Sequence, residues 1–204
     1  MAEVSRGLVL VLLVGATSAS VHTQDRWSVA EEEIVRLAPA AFEKVPAAIR
    51  KGLSDLGCSI PQAWGNAVGK NDHGCSLPPP RGSDRPHNVV SGEFMEAGQT
   101  LWAALCSRNR TSAIIVIDEN GRVRAELASA PDRSYLQGIG CGKIAYSRWL
   151  SPAGADFILS VYHAYGGRKP PPIDHQGIDN AFLEKASTVH YFHEGKWLRL
   201  TGAD

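Results

Sequence analysis

Between residues 88 and 129 the chain alternates short apolar runs with turn signals, and this stretch anchors the reading of the whole fold. The runs 101–106 (LWAALC) and 113–117 (AIIVI) are apolar at nearly every position. In a strand successive side chains point to opposite faces, so such runs predict central strands covered on both sides. The flanking segments NVVSGEF and RVRAELAS are mixed and predict outer strands of the same meander. Asn120-Gly121 stands between two of these runs. Both residue types tolerate positive φ, which predicts a tight hairpin there.

Upstream, Phe42, Val45, Ile49, Leu53 and Leu56 recur at three- and four-residue spacing and predict one amphipathic helix ending at Gly57. Ser28 and Glu31 have the spacing of a capping box at the start of a shorter helix that runs to Ala38. Residues 58–87 lack periodicity, end in LPPPRGSDRP, and read as a loop. Downstream, GIGCG at 138–142 reads as a bend, and 143–150 and 156–165 as two strands around Ser151-Pro152-Ala153-Gly154. A short helix is expected over 178–185, then a last hairpin, 187–193 with 196–200, around Glu194-Gly195. The class predicted is α+β: an antiparallel sheet of about six to eight strands built on the central meander 88–129, with the N-terminal helices packed on one face.

The first residues change the picture. Arg6 precedes the apolar run GLVLVLLVG at 7–15, and small residues follow it. That run is too short to cross a bilayer and fits a secretory signal, with 1–19 removed and 20–204 left as one exported domain, periplasmic or secreted. No later segment is long and apolar enough to span a membrane. Removing Glu3 and Arg6 leaves the charges balanced, which argues against nucleic acid or an anionic membrane as the main partner.

Export gives the four cysteines, Cys58, Cys75, Cys106 and Cys141, a role as two disulfides. Of the three possible pairings, Cys58–Cys75 with Cys106–Cys141 is the one expected, because each bond closes a local segment rich in Gly and Pro. A loop of about 17 residues closed in this way contributes roughly 3 kcal/mol in the chain-entropy model.

The segment GEFMEAGQTLWAAL at 92–105 resembles one FG-GAP/VCBS-type repeat through Gly92, Phe94, Gly98 and Ala103. The resemblance implies a blade-like hairpin, and in that family the hairpin loop commonly binds calcium. Ala97 and Leu101 stand where the family carries carboxylates, leaving Glu93 and Glu96. The chain as a whole is also similar to uncharacterised secreted bacterial proteins through GCSIPQ, LCSRNRTSAIIV and KWLRLTGAD. That similarity implies no particular activity.

Candidate chemistry gathers in the C-terminal half. His175 and His190 with Asp174 or Asp179 are the residues from which a hydrolase would draw a general base and its orienting carboxylate. His190 and His193 are three apart on an expected strand and so point to opposite faces. Arg168 and Lys169 sit in the loop 166–177 (GGRKPPPIDHQG) as candidate ligand-binding residues, and Trp149 and Trp197 stand beside turns as aromatic ones. The chain carries no GxSxG, HExxH or phosphate-loop pattern. No cofactor or metal is expected. The function expected is an exported, disulfide-stabilised domain binding a protein or an envelope polymer. The alternatives are a His/Asp hydrolase and a calcium-binding propeller-like module.

Overall fold

The computed structural model describes residues 25–69, 75 and 78–203. The expected signal segment lies outside these residues. The central meander forms as four antiparallel strands, β4 (Val89–Gly92), β5 (Leu101–Arg108), β6 (Thr111–Ile117) and β7 (Val123–Pro131), side by side in chain order. Its two inner strands are covered on both faces. Leu101, Ala103, Leu105, Ile114 and Val116 enter one buried cluster, and Ala104, Cys106, Ala113, Ile115 and Ile117 enter another on the opposite side. Each fully buried Leu or Ile contributes about 1.5–3 kcal/mol relative to exposure, so two-sided burial makes this meander the stable centre.

Its turns differ in chemistry. Asn109 and Arg110, both at positive φ, link β5 to β6 in the two-residue manner that matches strand twist. At the β6–β7 turn Gly121 alone takes positive φ, at 78°. Asp118 organises that turn: its Oδ1 accepts the amides of Asn120 and Arg122, both at 3.0 Å. Those bonds, with the backbone amide of Arg122 leading, hold the Asp118 carboxyl below its ordinary pKa. The expectation that Asn120 and Gly121 share the positive-φ role is thus corrected.

The strands do not join into one sheet of six to eight. Among the described residues they form four separate antiparallel sheets. β1 (Arg36–Leu37) pairs with β2 (Ile60–Pro61); β3 (Ala67–Val68), β9 (Lys143–Tyr146) and β8 (Leu136–Gly140) form a second group. β10 (Arg148–Ala153), β11 (Gly177–Phe182), β12 (Ala186–His193) and β13 (Lys196–Thr201) form another four-stranded sheet. The physical reason lies in β5 and β6: strands apolar on both faces need a layer on each side. The C-terminal strands supply one of those layers, through Leu150, Ile178 and Trp197, instead of extending the edge.

The helices divide in the same way. α1 (Arg26–Glu32) places Ala30 in the cluster shared with β8 and β9, whereas α2 (Ala47–Asp55) places Ile49 and Leu53 in the opposite cluster. The N-terminal helices therefore cover different faces. Ser28 lies inside α1, and the N-cap Asp25 makes no side-chain bond, so the expected capping box does not form. The stripe from Phe42 to Leu56 is not one helix. Pro46 occupies the N-cap of α2, and Pro39 opens a separate short turn of 3-10 helix.

Three further segments differ from expectation. Residues 156–165 belong to α3 (Ala155–Tyr165), where Ile158 and Val161 bury at three-residue spacing between Gly154 and a left-handed Gly166. Residues 178–182 belong to β11, not to a helix. The described part of the stretch 58–87 holds two short strands, and 138–142 is the β8–β9 hairpin, with Gly140, Cys141 and Gly142 all at positive φ.

Both disulfides form, with pairing Cys58–Cys106 and Cys75–Cys141. This corrects the local pairing. Ser59 and Ser107 exchange backbone bonds of 3.1 and 2.8 Å, which brings the preceding cysteines side by side. Loop-closure entropy ranks segments by length and carries no information about which segments become neighbours. The Cys58–Cys106 bond spans 48 residues and is buried under α2. Replacing both cysteines by Ala should lower unfolding free energy by about 4 kcal/mol, read as a reduced urea midpoint in equilibrium unfolding. Unchanged stability would show that the reduced chain already holds these segments together.

Candidate functional site

The polar interior centres on Arg148, which is 0% exposed. Its Nε donates to Asn180 Oδ1 at 2.8 Å on β11, and one terminal nitrogen donates to Ser112 O and Oγ, both at 3.0 Å, on β6. The other donates to Ala128 O at 2.7 Å on β7. The Tyr135 ring lies face-on, 4.4 Å from the guanidinium carbon. Among the described residues no carboxylate stands within ion-pair distance of this cation. The buried carboxylate of the region, Asp132, is engaged elsewhere, accepting from Arg36 at 2.7 Å and from Ser107 Oγ at 2.6 Å.

Ala128 reaches Arg148 through a bulge. Between the pairs Ser112–Ala130 and Ile114–Leu127, β7 has one residue more than β6, and Ala128 takes a φ of 50°. A non-glycine residue in the left-handed region is strained, and bulges redirect backbone groups at functional edges. Here the carbonyl turns toward the guanidinium.

A cleft of about 460 Å³ lies between this bulged segment and the inner face of the C-terminal sheet. Ala128, Ser129 and Ala130 line one wall; Asn180, Thr188, His190 and Arg199 line the other. The register explains that second wall: Asn180 pairs with Thr188, and His190 with Arg199, so each pair shares a face. Tyr135 and Phe182 close it with rings 5.4 Å apart in an edge-to-face contact. The volume falls within the range of small-molecule sites. His190 is 5% exposed, and its Nε2 is buried without a hydrogen-bond partner. Desolvation, then the positive charges of Arg199 and Arg148, push its pKa down to about 4, so it is neutral at pH 7.

No protein-family model, curated protein or solved structure matches this chain.

The cleft collects only one of the residues singled out by sequence. Asp179 is next to Asn180 on β11 and pairs with Val189, so it points to the opposite face from His190. Burial holds its carboxyl above the ordinary range. His175 stacks on Tyr191, with centroids 4.4 Å apart, and its ring nitrogens meet the carbonyls of Gln176 and Phe192, both at 2.9 Å. Asp174 Oδ1 accepts from Tyr191 Oη at 3.0 Å and lies 3.7 Å from His175 Nε2. These groups pin the loop to β12, and both imidazole nitrogens are engaged with backbone.

Arg168 and Lys169 are exposed on that loop. Trp149 is half-buried and stacks on His87 at 4.2 Å; His87 Nε2 accepts the amide of Ala63, and burial lowers its pKa. Trp197 packs edge-to-face on Phe192 and against the core. Glu93 and Glu96 lie between β4 and β5, and no group of three potential ligands forms a metal site among the described residues. Arg148, Asn180, Arg199 and Tyr135 escaped the sequence reading. Arg199 shares the alternation of Trp197 and Thr201, but which face that alternation meets is set by distant segments.

Replacing Arg148 by Met should destabilise the fold by about 3 kcal/mol or more. Removing a desolvated cation is favourable, but the change leaves the carbonyls of Ser112 and Ala128 and Asn180 Oδ1 without a donor, at about 1–3 kcal/mol each. Arg148→Lys should not restore stability, since an ammonium cannot span three strands with a planar fork. Thermal unfolding of the two variants tests this, and native-like melting of either would contradict it.

His190 makes stability acid-sensitive. The unfolded chain takes the proton near pH 6.5, and the folded protein resists it until about pH 4. His190's contribution is therefore full above about pH 6.5 and lost as the pH falls toward 4, by on the order of 3 kcal/mol. Asp179 acts in the opposite sense, because its raised pKa lets protonation relieve the folded state. Urea unfolding of wild type and His190→Gln across this window isolates the histidine. The variant should show a flatter acid limb, and parallel limbs would refute the assignment.

Proposed function

We propose that this chain is an exported, disulfide-stapled binding domain whose ligand site is the cleft between β7 and the C-terminal sheet. Its ligand is of small-molecule size, free or as the end group of an envelope polymer. The observation that carries this reading is the coincidence in one place of a cleft, a strained bulge and an unpartnered buried imidazole. Each alone has a structural explanation. Together they are the pattern expected where local stability is given up for recognition.

Two disulfides support an oxidising compartment. Among the described residues no helix is long and apolar enough to cross a membrane. The hydrolase alternative rests on one juxtaposition, Asp174 Oδ1 3.7 Å from His175 Nε2; both nitrogens of that imidazole meet backbone carbonyls, and His190 and Asp179 face away from each other. For the calcium alternative, Glu93 and Glu96 belong to no group of three or more acidic, His or Cys side chains among the described residues.

The test is a screen of the oxidised protein against a library of small neutral and charged fragments by amide correlation spectra. Binding fragments should shift the amides of Ser129, Ala130 and Thr188. Ala186→Trp, which places a large ring at the exposed rim of the same cleft, should weaken them at least tenfold. A library that leaves these amides unmoved, or binding indifferent to the Trp, would overturn the proposal.

A further inference from the structure

We propose that the cleft takes a small organic anion, a carboxylate carried on an apolar or planar body. This rests on the reading of the cleft as the ligand site and specifies what it selects.

The lining is rich in donors and holds no Asp or Glu. Arg199 lines the cleft, is exposed, and has no carboxylate partner within ion-pair distance among the described residues. Behind the wall sits Arg148, likewise without an ion-pair partner, and its charge reaches His190. The nearest buried carboxylates are turned elsewhere: Asp132 to Arg36 and Ser107, Asp179 to the far face of the sheet. A guanidinium at the rim and another buried behind the wall repel a cationic ligand and attract an anionic one.

The neutral groups point the same way. Asn180 Oδ1 is fixed by the Nε–H of Arg148, so the end of the amide left for another partner is the NH2, a donor. His190 lines the same wall as a neutral imidazole and adds no negative charge to it. A carboxylate accepts from such donors at both oxygens. A cation would meet the charge of Arg199 here, and the neutral acceptors of the lining (hydroxyls, one imidazole nitrogen and the second lone pair of Asn180 Oδ1) carry no negative charge to offset it. The remaining lining decides the body of the ligand. Ala128, Ala130, Phe182 and the face of Tyr135 are apolar surface, suited to an alkyl chain or a ring and unsuited to a fully hydrated inorganic ion.

The experiment titrates the oxidised protein at pH 7 with matched acid and amide pairs, benzoate with benzamide and hexanoate with hexanamide, following the amides of Ser129, Ala130 and Thr188. Each acid should bind at least tenfold more tightly than its amide, and Arg199→Gln should abolish that preference while leaving the spectrum of the fold intact. If the amides bind as well as the acids, or the preference survives Arg199→Gln, the anion assignment fails while the cleft stands as a binding site. If none of the four compounds moves these amides, both the assignment and the cleft as ligand site fail.

Discussion

The structure depends on one guanidinium. Arg148 opens the first strand of the C-terminal sheet and bonds to β6, β7 and β11, so it joins two sheets that share no backbone ladder. Apolar contact between layers is non-directional and tolerates sliding; a planar fork with fixed donor directions does not. Asn88 adds a second brace of the same kind. It is buried at a φ of 69°, donates to Pro61 O and Arg148 O, and accepts the amide of Leu150. The relative placement of the sheets is therefore set by polar groups, while most of the stabilisation comes from the apolar clusters on either side of β5 and β6.

That arrangement has a consequence for the cleft. A buried cation with neutral acceptors only is a costly way to join two layers, because the desolvation of the charge is offset by dipoles and not by an opposite charge. Its field extends to His190, which stays neutral, and into the space beside Ala128. A hydrogen-bonded neutral side chain of similar reach would brace the sheets with less strain. The proposed anion site gives this positive charge a use beyond bracing the sheets.

How much of this was legible depends on the range of the interaction. The meander was readable because two-sided burial is written in consecutive residues, as in LWAALC and AIIVI. The last hairpin was readable through Glu194-Gly195. The segment 156–165 reads as a strand because DFILSVYHAY is apolar enough for either period; the glycines at 154 and 166 are the better signal of the helix. Disulfide pairing and sheet membership failed for one shared reason. Cys58 meets Cys106 through a bridge between Ser59 and Ser107, a relation 48 residues long that leaves no local trace. The cleft is harder still, since its walls come from β7, the turn after it, β11, β12 and β13. His190 was visible as a lone histidine, and its partner Arg199 only as one residue of an alternating strand.

The two sides of the central meander are built to different standards. On the α2 side the cluster is closed by a disulfide and filled with Ile49, Leu53, Ile60 and Ile115. Toward the cleft lie an alanine at positive φ, an uncompensated guanidinium and an imidazole nitrogen without a partner. The α2 side has a departure of its own, the buried Arg50 Nε without a partner, but the cleft side gathers three close together. A crosslinked, well-packed face supplies the rigidity that holds a strained face in shape without a ligand. Stability gathered under α2 thus complements the exposure of the cleft, with the disulfide on the closed side and the strained groups on the open one.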